Sequence, residues 1–137
     1  MWTIPRSVVN HILGHAQRTA PLECVGILSG NGRLVTGWHP LPNLHKDPRR
    51  FLADPEAQIT LFRELRTADR EVVAIYHSHP TGPLAPSHDD LAQTAYPDAL
   101  YLIVSLETRG CLELGGFLLR DGHAEPQEIG IVEDGSL

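Results

Sequence analysis

The segment Val72-Val73-Ala74-Ile75-Tyr76 is apolar at every position, so an extended strand there presents apolar side chains to both of its faces. Such a strand belongs in the middle of a sheet with both faces covered, and helices are the usual cover. The flanking sequence supplies them. Ile4, Val8, Ile12 and Ala16, widened by Val9 and Leu13, form a helical stripe. Pro5 suits its first turn, where a missing N–H costs nothing, and Pro21 closes it. Ile59, Phe62 and Leu65 form a second stripe ending near Asp69, opened by Asp54 as N-cap and Pro55 at the first helical position. Residues 87–95 are expected as a short third helix. Strands are expected at 24–28, 34–38, 100–106, 111–119 and 129–132, with turns at Gly30-Asn31-Gly32 and Arg109-Gly110. Prolines assign residues 39–54 and 78–86 to loops. Helices interleaved with strands indicate an α/β domain with a mixed sheet in two or three layers, whose strand order the pattern does not supply.

Composition removes several function classes. A length of 137 residues suits one domain spanning 1–137. A 20% share of charged residues is too low for a disordered chain. No apolar run approaches the ~18 residues of a membrane span. The opening Met1-Trp2-Thr3-Ile4-Pro5-Arg6 lacks a basic region followed by an apolar one, so a cytoplasmic protein with no membrane partner is expected. The net charge is -6, and the only cationic pair is Arg49-Arg50, which argues against nucleic acid as a partner. Cys24 and Cys111 cannot build a disulfide framework or a four-cysteine zinc site, and both sit in apolar runs as inert core residues. The oligomeric state is not legible.

Eight histidines are the unusual count. His77 and His79 follow the apolar strand directly, and two residues apart in extended backbone their rings point to one side. Two neutral imidazoles converging there suit an ion such as zinc. A third ligand has to return through the proline-rich loop, which delivers Ser87-His88-Asp89-Asp90. The same four residues also read as an ordinary helix start, with Ser87 as cap. Other two-histidine zinc patterns fail. Thr81 and Gly82 stand where a metallo-β-lactamase motif needs an acid and a histidine. The cysteine pair of a zinc deaminase is missing, as is a His-Glu-x-x-His helix. A cysteine–histidine nucleophile pair stays open but fits poorly with cysteines in apolar runs.

His77-Ser78-His79-Pro80, the spacer from Pro80 to Pro86, and Ser87-x-x-Asp90 together resemble the zinc motif of the JAMM (MPN+) metallopeptidases. Pro21-Leu22-Glu23-Cys24-Val25-Gly26-Ile27-Leu28-Ser29-Gly30 resembles the upstream segment that carries the family's glutamate, here Glu23. The likeness extends to about Leu106 and includes Asn43, Phe51 and Asp54-Pro55. One departure is Val25 before the glycine, where the family often has cysteine; that position lies outside the catalytic motif.

The resemblance implies a single-domain α/β/α fold, cytidine-deaminase-like, with a mixed, curved sheet. It implies one catalytic zinc held by His77, His79 and Asp90, with Glu23 as general acid–base and Ser87 as donor to the oxyanion. The reaction would be hydrolysis of an amide or isopeptide bond. The substrate would be a ubiquitin-like or sulfur-carrier protein with a C-terminal Gly-Gly tail, as for the compact stand-alone prokaryotic members. A scaffold module with vestigial zinc is a second reading, which intact Glu23 and Ser87 oppose. A zinc hydrolase of small molecules is a third. His88 and Asp89 are expected as exposed first-turn residues, and His11, His15, His39, His45 and His123 as surface residues.

Overall fold

The computed structural model describes residues 1–45, 52–80, 84–87, 90–91, 98–106 and 113–134. Along the chain they form β1 (Trp2–Pro5), α1 (Arg6–Thr19), β2 (Val25–Asn31), β3 (Leu34–Leu41), α2 (Pro55–Thr67), β4 (Glu71–His79), β5 (Leu100–Ser105), β6 (Glu113–Arg120), β7 (His123–Gln127) and β8 (Ile129–Val132). The strands build one mixed sheet in the order β7-β6-β5-β4-β2-β3-β1-β8. As expected for a strand apolar on both faces, β4 is central, antiparallel to β2 and parallel to β5.

The sheet is curled. β7 and β8 lie at opposite ends of the strand order, yet only Glu128 separates them in sequence. Trp2 ties the two ends together, its N–H donating to the Glu128 carbonyl and its Nε1 to Gln127 Oε1. A Cβ on Gly116 of β6 would meet the tip of the Ile129 side chain of β8 at 2.8 Å, so the two ends come into side-chain contact there. The concave face wraps α1. Val8, Val9, Ile12 and Ala16 pack there with Leu28, Val35, Tyr76, Leu102 and Leu118, drawn from strands across the sheet. The opposite face carries α2, whose Leu61 and Leu65 pack on Val25, Ile27 and Leu41. Helices therefore cover both faces, in the α/β/α order implied by the resemblance. Among the described residues, no helix is long and apolar enough to cross a membrane.

Several expectations are corrected. The first helix starts at Arg6, because Trp2–Pro5 is a strand held between β3 and β8. Ile4 extended the helical stripe only by coincidence of spacing, and Pro5 is the N-cap residue. Its ring offers no cap, and the Asp134 carboxylate takes that place by accepting from the backbone N–H and hydroxyl of Ser7. β3 runs through His39 and Pro40 to Leu41. Proline is tolerated there because β1 pairs with β3 only at Leu34, so the far side of Pro40 needs no donor. β4 likewise continues through Ser78 and His79, paired with Val104 and Ser105, where a loop was expected. The first hairpin turns at Gly32-Arg33, with φ +62° at Gly32, the glycine-first pattern of a type II′ turn. β7 was not expected, although Asp121-Gly122, with φ of 53° and 74°, is a strong hairpin signal of the type I′ pattern. The expected third helix is seen only at Asp90 and Leu91. Residues 88–89 and 92–97, Phe51, Cys111 and the turn at Arg109-Gly110 lie outside the described residues.

Candidate metal centre

The register of β2 and β4 decides which side chains meet. The two strands run antiparallel with Val25 opposite His77. Continuing that pairing by two residues places Glu23 opposite His79. Residues 23, 25, 77 and 79 then share one face, because side chains alternate along extended backbone. That face is the one bearing α2, remote from α1. Asp90 arrives from the returning segment. Its Oδ2 accepts from Ser87 N–H at 2.8 Å, and Asp90 N–H donates to Ser87 Oγ at 3.1 Å. This reciprocal pair is the helix-start arrangement read in the sequence, and here it also aims the carboxylate.

Ligand atoms of Glu23, His77, His79 and Asp90 all lie within 4.8 Å of one another. The three nearest form a small triangle. His77 Nε2 and His79 Nε2 are 3.1 Å apart, and Asp90 Oδ2 lies 3.0 Å from the former and 2.9 Å from the latter. All four residues are at most 5% exposed. Burial alone would raise the Asp90 carboxyl, but hydrogen bonds from His77 and His79, with that of Ser87 N–H, hold it well below the usual carboxylate range. Burial keeps His77 below the ordinary histidine value, against the pull of Asp90 toward the charged form. An ionised carboxylate beside a His77 ring that burial keeps neutral, with His79 at hydrogen-bond distance from both, is a donor set suited to a cation. Two zinc ligands at ~2.0 Å around a tetrahedral ion stand about 3.3 Å apart, close to the spacing of this triangle. The donor set therefore fits a metal ion.

Residues 5–114 match the family described as prokaryotic homologs of the JAB domain. The chain belongs to that family. Among relatives of this JAB-domain chain, the CysO-cysteine peptidase of Mycobacterium tuberculosis is 32% identical over 95% of this chain and 90% of its own length. The desampylase of Haloferax volcanii is 33% identical over 75% of this chain and 76% of its own. A protein of Desulfitobacterium hafniense, solved in solution, superposes with a TM-score of 0.88 at 31% identity, covering 98% of this chain and 94% of that one. The likeness read from the sequence motif is borne out.

The structure brings Glu23, His77, His79, Asp90 and Ser87 of the JAB-domain chain together at one end of β4. Three of the five histidines expected at the surface, His15, His39 and His45, differ from expectation, being only partly exposed. His15 and His39 are half-buried, bonded to Tyr76 OH and to Ser29 Oγ, both at 2.8 Å. Two residues around Glu23 went unread as contacts. Ser78 Oγ accepts from Cys24 N–H at 2.8 Å, and Asn43 Nδ2 donates to the Glu23 carbonyl at 2.8 Å. Asn43 had a signal as a matching position of the family, but its partner depends on strand register, which sequence pattern does not give. Cys24 is buried, and burial pushes its thiol up to about 11, in keeping with an inert core residue.

Proposed function

We propose that this JAB-domain chain is a zinc-dependent peptidase that hydrolyses the amide or isopeptide bond after the C-terminal Gly-Gly of a sulfur-carrier or ubiquitin-like protein. The observation that carries the reading is the buried group of Glu23, His77, His79 and Asp90 in a chain of this family. The names of its relatives, a CysO-cysteine peptidase and a desampylase, support the substrate class.

His77, His79 and Asp90 would hold the zinc, and Glu23 stands beside them as the one acid of the group, among the described residues, outside that ligand set. Zinc at such a site supplies Lewis acidity for the scissile carbonyl and lowers the pKa of water toward ~7. Glu23 takes the proton of the attacking water and passes it to the departing amine, a two-way role that suits a single carboxylate. Burial at 3% exposure keeps its carboxylate away from competing solvent. Ser87 Oγ already accepts from Asp90 N–H. Its own hydrogen is left to donate to the developing oxyanion, so helix cap and oxyanion donor are compatible roles for one hydroxyl. A Gly-Gly tail suits an enclosed site, because the substrate backbone can approach without side-chain conflict.

The test is cleavage of a carrier protein joined through Gly-Gly to cysteine or to a lysine side chain. Intact mass should show a product ending in Gly-Gly, and a chelator should stop the reaction. Replacing the last glycine with valine should abolish cleavage. Equal cutting of both substrates would mean a general peptidase, and no cutting of either would overturn the reading.

A further inference from the structure

Glu23 lies two residues before β2, so its backbone is outside the ladder that fixes the strand. The pairing of β2 with β3 ends at Val25 opposite Leu41. Continued by two residues, it would place Asn43 opposite Glu23. There the Asn43 side chain stands where a strand partner would, with Nδ2 donating to the Glu23 carbonyl at 2.8 Å. The other end of the same amide is also committed. Asn43 Oδ1 accepts from the N–H groups of His45 at 2.9 Å and Leu52 at 2.8 Å. Leu44 N–H donates to the Leu52 carbonyl, Asp54 N–H donates to that of Pro42, and Asn43 bridges Ala53. One planar amide thus joins the backbone of Glu23 to both sides of the neck that leads from β3 into α2. The N–H of the next residue, Cys24, is held by Ser78 Oγ, from the strand that bears His77 and His79.

We infer that Asn43 is a positioning residue, which sets the aim of the Glu23 carboxylate by holding its backbone carbonyl. This rests on the acid–base role proposed for Glu23. The Asn43 amide bonds to Glu23, His45 and Leu52, none of them a ligand of the proposed zinc site, and its loss would leave metal binding alone. Its donor end acts through Glu23, and loss of that donor affects the step in which Glu23 moves a proton.

Asn43→Asp separates the two halves of the amide. The retained Oδ1 can still accept from His45 and Leu52, while an oxygen replaces the donor facing the Glu23 carbonyl. Misplacing a reacting group by about 1 Å costs up to ~10²-fold, so kcat for a Gly-Gly-linked substrate should fall about 10- to 100-fold with KM and zinc content unchanged. In the Glu23→Gln background the same substitution should cause no further loss, because both changes act on one group. In the metal-free protein, the carbonyl 13C resonance of Glu23 should move. If Asn43→Asp does not fold, Asn43→Ala repeats each measurement without placing an acceptor against the carbonyl. An unchanged kcat, a loss that multiplies that of Glu23→Gln, or an unmoved carbonyl resonance would overturn the inference. Normal turnover by Glu23→Gln would instead overturn the underlying role of Glu23, so the two failures are distinguishable.

Discussion

Tyr76 and His77 are neighbours in β4 and serve opposite faces of the sheet. The Tyr76 hydroxyl accepts from Trp38 Nε1 at 2.9 Å and meets His15 Nδ1 at 2.8 Å on the side of α1. His77 points the other way, to His79 and Asp90. The core contact of one residue thereby sets the backbone from which the next presents its ring. A Cβ on Gly26 would sit 2.3 Å from the Tyr76 ring, so glycine in β2 makes room for this anchor.

Removing only the hydroxyl tests that division. Tyr76→Phe leaves Trp38 Nε1 and His15 without their buried partner, which should cost about 1–3 kcal/mol of stability. Urea unfolding of the metal-free protein measures it. Zinc content should stay at the parental level; its loss would show that the hydroxyl supports the site and not the core.

Mild acid should destabilise the metal-free chain. Burial lowers His15, His39 and His77 from 6.5. Below that value the unfolded chain takes up protons that the folded one refuses, so stability falls as pH drops. Urea midpoints should decline between about pH 7 and about pH 5. His39→Gln should flatten the decline. A midpoint constant across that interval would contradict the burial of these rings.

Cys24 should be silent to thiol reagents. With its thiol pushed up to about 11 and its side chain enclosed, almost no thiolate is present at neutral pH. Peptide mapping after alkylation of the native protein should find Cys24 unmodified, and Cys24→Ala should retain most activity. Rapid alkylation with parallel inactivation would revive a cysteine nucleophile.

Ser87→Ala separates cap from oxyanion donor. Loss of one oxyanion donor lowers kcat about 10²–10³-fold, with a smaller effect on KM. A change below about threefold would leave Ser87 with the helix cap alone.

The motif residues were legible because each carries local information. His77 and His79 share a side through the two-residue period, and Ser87 and Asp90 share a capped turn. The apolar pentapeptide Val72–Tyr76 announced the centre of the sheet in the same way. Contacts that depend on register were not legible. Asn43 meets Glu23 only because Val25 pairs with Leu41, and Glu23 meets His79 only because Val25 also pairs with His77. β1 was hidden because Ile4 fits a helical stripe while tertiary pairing holds it extended. Pro40 misled in the opposite sense. A residue hostile to sheets marked a loop, yet it occupies a strand position with no strand partner on its far side among the described residues.

The central claim is that Glu23 moves the proton beside a metal held by His77, His79 and Asp90. The most direct measurement is the rate at which zinc-replete Glu23→Gln cleaves a Gly-Gly-linked carrier substrate, relative to the unsubstituted chain. General acid–base groups contribute ~10²–10⁴-fold, and one group serving both proton transfers should lie high in that range. The account predicts a folded, fully metallated variant slower by about 10³-fold or more. Near-normal turnover in that variant would contradict it.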